Sequence, residues 1–307
     1  MKGMIIMAQI LKDNLGLCEM INRDQEIIAR KHGLPVMRGV LYKVNMDSNG
    51  DPIFDKLEKV NENTVVLGGA VLALEKLFGR GAKYLPGTLN EEYKVNDAFD
   101  VNPQQTYIRC FGVGTGGARD TIGSVLDPDF KQKFLNDMIP FRISDTEDLA
   151  DTIDPEVAKK YFFRRQIYEN PKPLWGWYLK EFENPDSIPQ PSSYWKDVPD
   201  PNSLGTEVSS NPEPYTLIGE NDNLIECFGE CIIKLEEDDL RPWFQYNGSL
   251  PTARYNTFGL FTGAKTPIVS GYVDYVGVRL FSVVNFNNVA LDMPTSATYL
   301  YRVYAAI

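Results

Sequence analysis

The chain has 307 residues, with 42 acidic against 31 basic side chains and a formal charge of −11. Such a charge opposes non-specific contact with nucleic acid or an anionic membrane and points to protein partners. At 43% hydrophobic and 24% charged residues, the composition excludes collagen-like, coiled-coil and disordered chains and leaves a globular one, large enough for one large or two ordinary domains.

The opening MKGMIIMAQILKDN has one early lysine, but its apolar run from Gly3 to Ala8 is shorter than a signal core, so no secretion signal is expected. Ile10, Leu11, Leu15, Cys18, Ile21, Ile27 and Ile28 recur at helical spacing up to Gly33, and Leu34-Pro35 breaks the pattern. Arg38 to Val44 then runs toward the Asn49-Gly50 pair and returns through Ile53 and Phe54, which predicts a hairpin. Thr64 is placed to cap a helix through Leu77, ended by Gly79. The longest apolar stretch, Val65 to Leu74, is about half a membrane span, and a soluble chain is expected. Residues 105–114 read as a strand, Ile139 to Ile143 as a short one, and Asp148 to Tyr161 as helical, with Asp154-Pro155-Glu156 as a helix start.

Between Asn184 and Tyr215 stand Pro185, Pro189, Pro191, Pro199, Pro201, Pro212 and Pro214, which excludes regular helix or central strand there. The tract is read as a long arm or linker. Beyond it, Leu224 to Leu235, Tyr255 to Phe261, Ile268 to Asn285 and Ala297 to Ala305 read as strands, with Gly263, Asn287-Asn288 and Pro294 as turns. The expected fold class is α+β: a mixed helix and strand domain over 1–183, the proline-rich arm over 184–215, and an antiparallel β-sandwich-like domain over 216–307.

CFGVGTGGAR at 110–119 contains G-x-G-x-x-G at Gly112, Gly114 and Gly117. A dinucleotide loop must open a helix, whose N-terminus holds the pyrophosphate, and needs an acidic residue about 20 positions on, at the end of a second strand. Here Asp127-Pro128 cuts short any helix after Gly117, and the position reached is Asn136-Asp137-Met138, before an apolar strand rather than after it. The lysine and hydroxyl residue of a P-loop are also missing, so the segment reads as a glycine turn. Asn45, Asp47, Asn49 and Gly50 imitate half a calcium loop, but Lys56 stands where a bidentate glutamate is needed. Glu236 to Asp239 reads as a solvated strand end. Cys227 and Cys231 would need two more zinc ligands from Cys18, Cys110 and the single histidine, His32, and read instead as buried thiols in a reducing compartment. His32 suits a helix end, and no G-x-S-x-G surrounds any serine. No catalytic, cofactor or metal site is expected.

The remaining feature is aromatic. Tyr161-Phe162-Phe163-Arg164-Arg165, Trp175-Gly176-Trp177-Tyr178 and Tyr194-Trp195 approach and enter the proline tract. Such rings and arginines dominate interface hot spots, and the same rings would serve equally as core. Trp175, Trp177, Tyr194, Trp195, Arg164 and Arg165 are the interface candidates.

The tract YVDYVGVRLFSVVNFNNVALDMPTSATYLYRVYA, with GVGTGGARDTIGSVLDPDFKQKF and MIPFRI, resembles virion structural proteins of large tailed bacteriophages, such as neck, tail-completion and baseplate components. The resemblance implies a non-enzymatic protein made in the host cytoplasm and built, with copies of itself and other virion proteins, into a symmetric particle. A head-to-tail neck or tail position is the first expectation. A receptor- or carbohydrate-binding tail component, using Trp175, Trp177 or Trp195 as stacking platforms, and a nucleotide-binding enzyme using Gly112 to Gly117 are the alternatives.

Overall fold

The computed structural model describes residues 36–48, 51–78, 106–119, 124–128, 132, 134–168, 172–185, 190–191, 226–269, 272–291 and 296–306. The helix expected over the first thirty residues, His32, the Asn49-Gly50 turn and most of the proline tract lie outside them. In chain order the elements are β1 (Val36–Met46), β2 (Pro52–Glu62), β3 (Thr64–Val65), α1 (Leu67–Phe78), β4 (Tyr107–Gly114), β5 (Met138–Ile139), β6 (Arg142–Ser144), α2 (Pro155–Ala158), β7 (Tyr161–Tyr168) and β8 (Leu174–Glu181). After them come β9 (Gln190–Pro191), β10 (Glu226–Leu235), α3 (Arg241–Tyr246), β11 (Arg254–Val269), β12 (Tyr272–Ala290) and β13 (Ala297–Ala306). Strands make up 59% of the described residues, so this part of the chain is mostly antiparallel sheet.

Arg38–Ile188 and Gly229–Val303 form one unit, which therefore draws on both sides of the proline tract. A smaller unit takes Met1–Met37, Pro189–Phe228 and Tyr304–Ile307. Its described pairing is β9 against the start of β10, Pro191 opposite Cys227 and Gln190 opposite Phe228.

In the large unit one sheet runs in the order β2-β1-β13-β10, and a second in the order β3-β12-β11-β4-β8-β6, with β5 on β4 and β7 on β8. β1 and β2 form the expected antiparallel hairpin. The two sheets share one core: Leu41, Ile233, Leu235, Tyr299 and Tyr301 of the first meet Phe111, Tyr255, Phe258, Leu260, Val284 and Phe286 of the second. The other face of the second sheet is buried as well, by a cluster that includes Cys110, Phe162, Leu179, Phe261, Tyr275, Leu280 and Val283. A strand covered on both faces needs apolar residues on both, which is why β11 and β12 read as near-continuous apolar runs and not as alternating ones.

Several expectations shift for local reasons. Thr64 pairs in β3 with Val283, as suits the β-branched Thr64-Val65, and the helix begins only at Leu67. Gly69 then brings α1 down onto β12: a Cβ there would lie 2.4 Å from the Phe281 carbonyl oxygen. The span read as one helix over Asp148 to Tyr161 is a 3-10 turn, Leu149–Asp151, and the short α2, with Asp148 and Asp154 accepting from the Ala150 and Glu156 amides. Gly263 and Asn287-Asn288 are not turns but lie inside β11 and β12. These long strands carry register shifts, and Gly277 takes a φ of 62° where the pairing slips, so bulges stand where turn residues were read. β7 and β8 went unpredicted, although their aromatic and branched residues favour strand.

Candidate functional site

β10 ends in a turn that places a carboxylate in the interior. The Asp239 amide donates to the Glu236 carbonyl at 3.0 Å, and the Asp239 carbonyl accepts from the Arg241 amide at 2.8 Å across Leu240. Leu240 sits at φ 66° and ψ −33°, the strained three-residue turn that non-glycine residues rarely adopt. It is held there by complete burial and by its amide, which donates to the Phe141 carbonyl at 2.9 Å.

This turn points Asp239 inward, where three donors bond to it and the Arg142 guanidinium faces it. Lys180 Nζ lies 2.7 Å from Asp239 Oδ2, and both side chains are 0% exposed. Oδ2 also accepts from the Glu236 amide at 2.8 Å. Tyr161 donates to Oδ1 at 2.6 Å, and Arg142 Nε stands 3.3 Å from the same oxygen. Lys180 further donates to the Lys234 carbonyl at 2.9 Å, and Arg142 Nη2 to the Tyr161 hydroxyl at 3.1 Å. Burial pulls the Lys180 ammonium below the usual lysine range while Asp239 opposes that shift. Burial first, and the Asp239 charge second, push the Tyr161 phenol well above its ordinary value. Although burial opposes its charge, Glu236 is held below the ordinary glutamate value by its bond to Lys234 and by the charge of Lys180.

Beside the turn a cavity of about 280 Å³ opens between the sheets, lined among others by Lys43, Glu237, Arg241, Tyr255 and Tyr299. Tyr255 and Tyr299 share a hydrogen bond of 2.8 Å between their hydroxyls. Burial pushes both phenols up.

The acidic run therefore divides. The Asp238 side chain is 82% exposed, as a solvated strand end requires, whereas Asp239 is enclosed. Two signals could have found it: a lone lysine inside the apolar LWGWYLKEF, which demands a counter-charge, and an apolar Leu240 directly after the run. The glycine segment is also more than a turn. Gly112 and Gly114 lie within β4, and only Thr115 to Gly117 bend away. A Cβ on Gly117 would lie 2.1 Å from Thr257 Oγ1, and the Gly117 amide donates to Asn256 Oδ1 at 2.7 Å. These glycines allow close packing against β11 and the chain around Asn136.

The interface candidates separate in the same way. Trp177 is 1% exposed and belongs to the core. Arg164 stacks 5.0 Å over the half-buried Trp175 and Arg165 lies 5.8 Å over Tyr178, while Tyr194 and Trp195 lie outside the described residues. A pair absent from that set is more exposed: Tyr168 at 47% and Tyr246 at 56%, with ring centroids 6.2 Å apart and the half-buried Trp243 6.4 Å from Tyr246. The Cys110 thiol is pushed well up by burial and then by Glu181 and Asp274, and the Cys231 thiol is pushed up to about 12 by burial and Glu230. Among the described residues no three histidine, cysteine or acidic side chains converge as a metal set, and no helix is long and apolar enough to cross a membrane. Compared with known protein families, curated proteins and solved structures, the chain matches none of them.

Proposed function

We propose that the protein is a non-enzymatic structural component of a tailed-phage virion, in the neck or tail, which assembles with copies of itself and other virion proteins. In this reading the large unit is a rigid β-sandwich body, and the proline-rich tract is an arm that reaches a neighbour. The virion reading rests on the sequence resemblance, and what carries the arm is a clasp at the root of that tract. Asn184 donates through Nδ2 to the Glu230 carbonyl at 2.9 Å and accepts through Oδ1 from the Ile232 amide at 2.6 Å, and the Glu183 amide donates to the Ile232 carbonyl at 3.1 Å. The chain thus leaves the large unit and re-enters it at one place, the arrangement of an excursion inserted into a finished body.

The test replaces residues 192–225 by a short Gly-Ser linker. Light scattering over a wide concentration range should give a discrete oligomer for the full chain and a monomer for the variant, with cooperative unfolding retained by both. A variant that assembles like the full chain removes the arm from assembly, and a full chain that stays monomeric throughout removes self-assembly.

The exposed Tyr168 and Tyr246, backed by the half-buried Trp243, favour a second reading, a carbohydrate-binding tail component, because adjacent exposed rings stack on the apolar faces of sugars. On a glycan array the protein would then show selective binding that Tyr246→Ala removes. A blank array, or binding unchanged in the variant, rejects this use of the rings.

A further inference from the structure

We infer that Lys180 and Asp239 condense in the folded protein to an intramolecular isopeptide bond, an amide between Lys180 Nζ and Asp239 Cγ. The inference starts from position. Nζ touches Oδ2 at 2.7 Å within a site where neither side chain meets solvent. Nζ is therefore in contact with an oxygen bonded to Cγ, and groups held together in a fixed orientation react as if at very high concentration. Exclusion of bulk water also removes the medium that would drive an amide back to its acid and amine.

The two oxygens of Asp239 are held differently, and the difference matches what condensation needs. A proton passes from Nζ to Oδ2 along their contact, and burial already disfavours the ammonium. The free amine then adds to Cγ while the carbonyl electron pair moves onto Oδ1. Tyr161 hydroxyl meets that oxygen at 2.6 Å. Arg142 Nε–H, 3.3 Å from it, is buried without a hydrogen-bond partner. Such donors gain most when negative charge develops on the oxygen they face. The Nζ–Cγ bond forms and the Cγ–Oδ2 bond breaks. Oδ2 leaves as water with two of the three original ammonium protons, and the third stays on the amide nitrogen. Ammonium and carboxylate thus become amide and water, with no other reactant consumed.

A simple ion pair explains these residues less well. A buried pair recovers little beyond its own desolvation, and apolar residues of similar size would serve stability at least as well. Lys180 and Asp239 also stand on the two sides of the residue 184–215 tract. An amide between β8 and the turn after β10 would stitch its root covalently, whatever that tract does.

Intact-mass spectrometry of the denatured full chain decides the matter. The expected mass is one water below that of the sequence, and a protease digest should contain a branched peptide joining the segments around Lys180 and Asp239. Lys180→Met and Asp239→Ala should lack both signatures. Tyr161→Phe, which loses one donor to Oδ1, should slow the reaction about 10²–10³-fold and leave uncrosslinked chain in fresh preparations. A full chain that keeps its unreduced mass and yields no branched peptide after days at neutral pH overturns the inference, and this reading needs no variant to fold.

Discussion

Asp239→Ala is expected to lower the unfolding free energy by about 3–5 kcal/mol, because removing one partner of a buried pair leaves the other charge uncompensated. Lys180 would lose its ion pair inside a site with no exposure. Tyr161 and the Glu236 amide would lose their acceptor at the same time. The effect should be partly relieved by adding Lys180→Met, which removes the stranded charge. Urea unfolding of the three proteins measures both effects. A loss below about 1 kcal/mol, the range of ordinary surface substitutions and small rearrangements, would mean that solvent reaches Asp239 and that the network does not brace the unit. An amide at this pair would enlarge the loss, since the variant would also lack a covalent link.

Phe258→Ala should cost about as much, about 3–5 kcal/mol, by the loss of buried ring surface and the cavity left behind. Phe258 is fully buried, and its ring centroid lies 5.0 Å from that of Phe286, 5.1 Å from Tyr299, 5.7 Å from Tyr255 and 6.2 Å from Phe111. Tyr299 belongs to the other sheet, so this ring joins the two faces. Phe54→Ala, at a position 40% exposed, is the control and should change stability by no more than about 0.5 kcal/mol. Equal unfolding midpoints for the two variants would disprove the shared core.

Strand positions were legible where local chemistry agreed with the fold. The hairpin of β1 and β2 follows from alternation around Asn49-Gly50, and the C-terminal strands follow from branched and aromatic runs. Pairing between strands distant in sequence was not legible. Nothing local to Cys110 or Phe111 shows that Phe261 and Leu260 lie opposite them, because partners distant in sequence leave no periodic trace. Gly263 and Asn288 misled for a related reason: small and amide residues mark turns in isolated peptides, but inside a doubly covered sheet they mark bulges and close approaches. Asn288 is held by Asn256 at 2.8 Å, a bond that only the assembled sheet supplies. At Asp239 the run of four acids hid one inward side chain among outward ones, since consecutive residues in a turn point in different directions. The lysine that matches it lies on β8, far away along the chain.

The pairing of β4 with β11 has a temporal consequence. During synthesis β4 emerges long before the strand that covers its edge, so the second sheet cannot close until Arg254 and the residues beyond it have left the ribosome. Contacts of such separation make folding slow. Throughout that interval the nascent chain carries an unmatched edge bearing Phe111 and Val113, an invitation to pair with the wrong chain. The demand this fold places on the cell is therefore one of timing: its yield depends on how well the waiting first half is shielded, and on how quickly the last third arrives.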